Sequence, residues 1–264
     1  MAEAREDTIK FLEAAEAALR ELFERAKSSH ELHFALALAP EFRGEQGPGW
    51  CAWQESHRAF DEYSRYLEQE PPSPFKIRVA LSFYCHLSEA SGYYEAPKNL
   101  MRIASGEPHR MWPFLELNRI HAATGKIIAP NANAVFRDLV GHAESLGLSS
   151  LAAAFRDAFD SDVRNGYAHA DYIIWQDGLR LRRHAAGHPR VIAWDDFSQI
   201  LVRGMNFYGV LRQLLDEYVR SYHTPKTIHA SMSGEPPSHW TISVDPETGA
   251  YSISTMKAES GVGL

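Results

Sequence analysis

Cysteine is nearly absent from this 264-residue chain: Cys51 and Cys85 are the only two. They are far apart and form no CxxC pair, which argues against a disulfide scaffold and a thiolate metal site. Two isolated thiols read as ordinary buried residues of a reducing compartment. Long apolar runs are missing too. The longest, Phe34 to Ala39, falls far short of the ~20 residues a membrane helix needs. The opening MAEAREDTIK carries no apolar signal segment, so the expected location is the cytoplasm, with no membrane partner. The common catalytic signatures are also lacking. Thr124-Gly125-Lys126 has neither the upstream glycine nor the following hydroxyl residue of a phosphate loop, and there is no GxSxG elbow, HExxH or strand-linked GxGxxG. No cofactor and no metal are therefore expected. His30 and His33 can share a helix face, but a capping or surface role suits two histidines better than zinc, which usually takes four ligands.

What is present is the composition of a globular domain, 45% hydrophobic and 23% charged. The net charge of −7 is uneven. Residues 1–70 hold 15 acidic and 8 basic side chains, and the rest of the chain is balanced. A uniformly basic nucleic-acid binder is excluded, whereas a local basic site is not. The most cationic window is Ser161 to Arg190, with Arg164, Arg180, Arg182, Arg183 and Arg190 against three aspartates. His169, His184 and His188 lie in the same window.

Periodicity predicts helices. Ile9, Leu12, Leu19, Leu22, Phe23 and Ala26 mark one face of a helix over 8–27. A Pro/Gly-rich loop at 40–49 follows, then a helix from Trp50 to Leu67 that ends before the prolines at 71–74. Residues 76–90 are apolar nearly all round and read as a core helix. A looser stretch runs to Pro130. Asn131 then caps a helix closed by Gly147, and another helix spans 149–159. Ser161–Asp162 is placed as the next cap. Tyr172–Trp175 and Leu179–Arg183 flank Gln-Asp-Gly and predict a hairpin, with a third short strand at 190–193. Asp195 or Asp196 is expected to cap the longest helix, ~40 Å to Tyr222 at the usual rise per residue. Trp240, Ile242 and Val244, then Tyr251 and Ile253 across Pro-Glu-Thr-Gly, predict a C-terminal β-hairpin. The expected organisation is a mainly α protein: an N-terminal helical extension (1–70), a helical domain (71–224) and a β-hairpin tail (225–264), with a single domain as the alternative.

One segment concentrates chemistry: Asp160-Ser-Asp-Val-Arg164-Asn165-Gly-Tyr-Ala-His169-Ala-Asp-Tyr172. It resembles the Arg-polar-x-x-x-His signature of HEPN domains, helical bundles found in many prokaryotic ribonucleases, toxins and defence proteins. The wider resemblance extends over about 75–222. The same spacing recurs at Arg137–His142, inside a helix with core-type Leu139 and Val140, and at Arg183–His188, in a Gly/Pro-containing linker. Only 164–169 joins the Asn after Arg to the family-like setting. The resemblance implies a HEPN-like bundle, a homodimer in which two motifs meet, and a metal-independent endoribonuclease acting as a toxin or defence effector. His169 is then the acid/base, Arg164 the phosphate-stabilising cation, and Asn165 positions one of them. A cognate antitoxin or a nucleotidyltransferase acting on a nearby tyrosine such as Tyr172 is the partner that some family members have. The RNA-binding candidates are Tyr172, Arg180, Arg182 and Arg183.

The residue types suit that chemistry. RNA carries its own nucleophile, the 2′-hydroxyl, and histidine shuttles protons near neutrality. Arginine offers a permanently charged planar fork to phosphate oxygens. Arg164 and His169 lie about 140° apart on an ideal helix and do not converge within one chain, which is why two chains are expected to complete a site. Three other readings compete. Arg164 and His169 can serve structural pairs with Asp162 and Asp171, making the fold a non-catalytic binding or dimerisation module. Arg180, Arg182 and Arg183 can be a solvated strand face over inward Leu179 and Leu181. A helical enzyme with a pocket among Trp50, Trp53, His57, Tyr84 and His86 is the third.

Overall fold

The computed structural model describes residues 2–39, 52–182, 188–232 and 234–255. The protein is mainly helical. Helices α1 (Ala2–Ser29), α2 (Glu31–Leu38), α3 (Ala52–Gln69), α4 (Pro74–Glu89) and α5 (Ser91–Ala104) come first. A two-stranded ribbon, β1 (Arg119–Ile120) and β2 (Ile127–Ile128), precedes α6 (Ala132–Ser145), α7 (Ser149–Ala158) and α8 (Ser161–Ala168). Strands β3 (Tyr172–Trp175), β4 (Gly178–Leu181) and β5 (Arg190–Ile192) form one antiparallel sheet before α9 (Trp194–Arg220). Strands β6 (Lys226–Ala230), β7 (Ser238–Val244) and β8 (Tyr251–Thr255) form another.

The amphipathic face read in α1 is buried in its second half, where Leu19, Leu22, Phe23 and Ala26 are fully covered, whereas Ile9 is exposed and Leu12 half-buried nearer the start. Phe23 stacks on Tyr218 of α9 with ring centres 4.8 Å apart, and Arg20 grips Glu217 through two bonds of 2.8 and 3.0 Å. Each fully buried Leu or Phe contributes roughly 1.5–3 kcal/mol, so this seam outweighs its surface ion pairs. The apolar run at 34–39 forms most of α2, buried all round. One hydrophobic cluster includes α1, α2, parts of α3 to α7, α9 and residues Ile242 and Val244 of β7.

Several boundaries differ from expectation for local reasons. The cap of α8 is Asp160, not Ser161 or Asp162: its carboxylate accepts the amides of Asp162 and Val163, both at 3.0 Å. Helix α9 starts at Trp194 after Ala193, which makes no side-chain cap bond, and Asp195 and Asp196 fall inside its first turn, where they favour the helix dipole instead. Helix α5 occupies part of the looser stretch, with Pro97 inside it. The C-terminal hairpin belongs to a three-stranded sheet with β7 at its centre, because β6 pairs along the other edge of β7 from Lys226 opposite Ile242 to Ala230 opposite Ser238. Asn131 caps α6 as expected, accepting the Ala134 amide at 3.1 Å. Gly147 closes it at φ +74°, with the Leu148 amide reaching back to the Ala143 carbonyl at 2.9 Å.

A second, smaller cluster positions the segment of interest. It joins Leu81 and Tyr84 of α4, Val163 of α8, Leu179 and Leu181 of β4, Ile192 of β5 and Phe197 of α9. Tyr84 is the pin. Its hydroxyl accepts the Asp160 amide at 2.6 Å and donates to the Ala158 carbonyl, fixing the junction between α7 and α8. Room for that ring comes from Gly204 on α9, where a Cβ would sit 2.8 Å from Tyr84 Cε2. Burial holds the Tyr84 phenol well above its ordinary pKa, so it stays a neutral hydrogen-bonding group.

Candidate functional site

Helix α8 is short and held at both ends. At its start, Arg190 of β5 reaches Asp160 at 2.8 Å and Asp162 at 3.0 Å, tying the sheet to the cap. In its middle, Gly166 packs so closely on β4 that a Cβ would lie 2.7 Å from Leu181 Cδ2. At its end, the Asp171 amide donates to the Gly166 carbonyl at 2.8 Å and Ala170 takes φ +55°. That turn feeds the chain directly into β3.

The structure brings Arg164 and Asn165 together and turns Arg164 inward. The Arg164 side chain is 13% exposed and forms an ion pair with Glu89 at the end of α4. It also donates from Nη1 to Asn165 Oδ1 at 2.8 Å, and Asn133 of α6 donates to the same oxygen at 3.4 Å. Cys85 lies beside this guanidinium. Burial pushes its thiol pKa up, and the Arg164 charge partly opposes that.

His169 is placed differently. It is exposed, follows the last residue of α8, and its amide donates to the Asn165 carbonyl at 3.0 Å. Among the described residues its imidazole shares no hydrogen bond with Arg164 or Asn165. Within one chain the pair therefore does not form a joined acid–cation unit, as the five-residue spacing anticipates.

The remaining candidates spread along the sheet. Tyr172 opens β3 half-buried, its ring 5.9 Å from that of Tyr167. Arg180 bonds Asp177 at 2.9 and 3.2 Å and lies 5.3 Å over the Trp175 ring. Arg182 is exposed, and its amide donates to the Asp171 carbonyl at 2.9 Å. Arg183 lies outside the described residues. Leu179 and Leu181 point inward, as a solvated strand face requires, and Ile173, Trp175 and Val191 are exposed. Ile173, Arg180 and Val191 are neighbours across the three strands, so cationic and apolar groups share this face.

The other two copies of the spacing are not equivalent. His142 is half-buried, and burial, reinforced by Lys98, lowers its pKa. Residues 183–187 lie outside the described residues. Of the group proposed for an alternative enzyme, Trp50 lies outside the described residues, Trp53 and Tyr84 are buried in the core, and His57 and His86 are half-buried. Trp53 stacks on Tyr93 at 4.1 Å, and Tyr93 meets Tyr208 at 4.0 Å. His30 caps α2 by accepting the His33 amide at 3.3 Å, so it does take the capping role.

Two features escape sequence reasoning. Glu89 and Asn133 complete the surroundings of Arg164 from positions 75 and 32 residues away from their partners. Helix α5 buries Lys98 against Asp138 at 2.8 Å and Arg102 against Glu107 at 2.6 Å, while Asn99 bonds both the amide and the carbonyl of Arg110 at 2.9 Å. The i, i+4 spacing of Lys98 and Arg102 is a signal that can be read only once α5 is known to be a helix. Comparisons with family models, curated proteins and solved structures find no match to this chain.

Proposed function

We propose that the protein is a metal-independent endoribonuclease of HEPN type, with Arg164, Asn165 and His169 as its working residues. The observation that carries this reading is the division of labour on α8. A fixed guanidinium with an oriented amide stands at mid-helix, and an exposed imidazole stands at the helix end. Arg164 stabilises the developing charge on the phosphorane, and His169 moves the 2′-hydroxyl or leaving-oxygen proton. Because the nucleophile belongs to the substrate, the chemistry asks for no metal. The separation of Arg164 from His169 favours a homodimer in which the arginine of one protomer serves the histidine of the other. The exposed Ile173, Trp175 and Val191 beside the motif suit such an interface.

The test is cleavage of a panel of single-stranded RNAs by purified protein in excess EDTA. Products ending in a 2′,3′-cyclic phosphate are expected, with the corresponding DNA left intact. Loss of cleavage on chelation overturns the mechanism.

The Glu89–Arg164 ion pair favours a second reading, a non-catalytic binding or dimerisation module in which Arg164 is structural. Glu89→Gln separates the two. If Arg164 serves phosphate, removing the competing carboxylate raises RNA affinity severalfold. If Arg164 only braces α4 against α8, the variant loses thermal stability and RNA affinity does not change.

A further inference from the structure

A pocket of about 360 Å³ opens between α6 and the junction of α7 with α8. Its size is at the lower end for small-molecule sites. Two features make its lining suited to a nucleotide. The first is a flat aromatic wall: Phe159, partly exposed, stacks on the buried Phe136 with ring centres 4.3 Å apart and planes 7° from parallel. The second is charge on the rim, from Arg137 and Arg156. Arg156 is already committed to Glu144. Arg137 is exposed and, among the described residues, engages no carboxylate. The nearest carboxylates in sequence are engaged elsewhere, Asp138 by Lys98 and Glu144 by Arg156. Arg137 is thus a solvated planar cation beside an aromatic surface.

The pocket is also connected to the motif. Asn133 lines it and donates to Asn165 Oδ1 at 3.4 Å, and Ser161 lines it one helical turn before Asn165. We infer that this pocket seats one unpaired nucleotide of a single-stranded RNA, with its base stacked on the Phe159–Phe136 pair and its phosphate on Arg137. The inference rests on the ribonuclease reading for the identity of the polymer. The nucleotide chemistry itself follows from the pocket. Aromatic side chains stack any base by its π-face, and the guanidinium fork matches phosphate oxygens. The seated unit would hold its neighbour near Arg164 and Asn165, so the pocket acts on binding and not on proton transfer.

The experiment uses the full chain and calorimetric titration with the four nucleoside 5′-monophosphates. Ribose 5-phosphate and inorganic phosphate are base-free controls, and a single-stranded hexanucleotide is the polymer. The monophosphates are expected to bind more tightly than ribose 5-phosphate, and the hexanucleotide more tightly still, in competition with them. Arg137→Ala should weaken both by about tenfold or more, with Arg137→Lys recovering part of the loss. Phe159→Ala should cost about tenfold in monophosphate binding and leave the weak ribose 5-phosphate binding unchanged. Because Phe159 contributes to packing, the surface variant Arg137→Ala, checked by thermal melting, is the deciding one. In cleavage assays Arg137→Ala should raise KM with kcat nearly unchanged.

Wild-type binding that ignores the base, or an Arg137→Ala variant that binds as wild type, overturns the pocket even if RNA is still cleaved. Arg137-dependent nucleotide binding without any RNA cleavage keeps the pocket and removes the ribonuclease reading. Monophosphates that bind but are not displaced by the hexanucleotide assign the pocket to free nucleotides and overturn the RNA assignment.

Discussion

Two of the three segments with the spacing Arg-polar-x-x-x-His lie among the described residues, and they are built inside out relative to one another. In α6, Arg137 is exposed and, among the described residues, engages no carboxylate, while His142 lies near the buried Lys98–Asp138 pair and loses basicity. In α8, Arg164 turns inward to Glu89 and Asn165, and His169 is the exposed group. The five-residue spacing sets the two side chains about 140° apart on an ideal helix, so they do not share a face. His142 lies within α6 beside the buried Leu139 and Ala143, whereas His169 follows the last residue of α8 and Arg164 is drawn in by Glu89 and Asn165. Spacing alone therefore identifies a pair of residues but not which of them meets solvent.

The sharpest way to break this comparison is catalytic. His169→Ala and Arg164→Ala should each slow RNA cleavage by about 10²–10⁴, the scale of losing a general acid/base or an electrostatic stabiliser. His142→Ala should stay within severalfold of wild type. Circular dichroism spectra and melting curves recorded in parallel separate lost chemistry from lost fold. A reversed ranking, with His142 essential and His169 dispensable, would assign the chemistry to α6.

The next effect is on stability. Gly166 and Gly141 occupy the two segments, yet a Cβ at Gly166 would meet Leu181 at 2.7 Å, while nothing lies within 4 Å of one at Gly141. Gly166→Val should destabilise by about 1–3 kcal/mol, because α8 cannot move away from β4 without disturbing the Asp160–Arg190 tie. Urea denaturation measures it. A neutral Gly166→Val would show that α8 is held less tightly than its contacts indicate.

Much of this arrangement was legible in sequence wherever the cause is local. The Asn131 cap, the Gly147 stop, the turn between β3 and β4 and the alternation in β7 and β8 are each set by residues a few positions apart. What stayed hidden depends on distant partners. Strand β6 shows a single strong apolar residue, Ile228, and is a strand because β7 pairs with it. Helix α5 is obscured by Pro97, which its surroundings tolerate. At the candidate site, sequence pointed to Arg164, Asn165 and His169. That Arg164 would be claimed by Glu89 and Asn165 linked to Asn133 could not be read from the motif, since no local rule brings α4 and α6 to α8.

Acid sharpens the contrast between buried and exposed imidazoles. Burial lowers the pKa of His142 and of His86, and takes His33 down to about 4 with His30 beside it. For each, the unfolded chain binds its proton at about pH 6.5, above the folded value, so the unfolded state holds more protons in between. Stability is then complete above about pH 6.5 and is lost as pH falls toward the folded values. For His33, allowing for solvent screening, the loss by pH 4 is roughly 1–2 kcal/mol. Urea midpoints measured from pH 7 to 4.5 should fall steadily, and His33→Gln should flatten that slope. A slope unchanged in His33→Gln would locate the acid sensitivity in the carboxylate pairs instead.

The smallest expected effect runs in the opposite direction. Gly141 lies in the exposed part of α6, between Arg137 and His142, where it packs against nothing and weakens the helix through its backbone freedom. Gly141→Ala keeps the helical conformation, limits the unfolded chain and should stabilise the protein by about 0.5–1 kcal/mol, visible as a small rise in Tm. The RNA-cleavage rate should not change, because α6 contributes Asn133 and Arg137 from its first half, upstream of the substitution. A loss of activity in this stabilised variant would mean that α6 must bend around Gly141 during turnover, and the segment would then be a working part of the site.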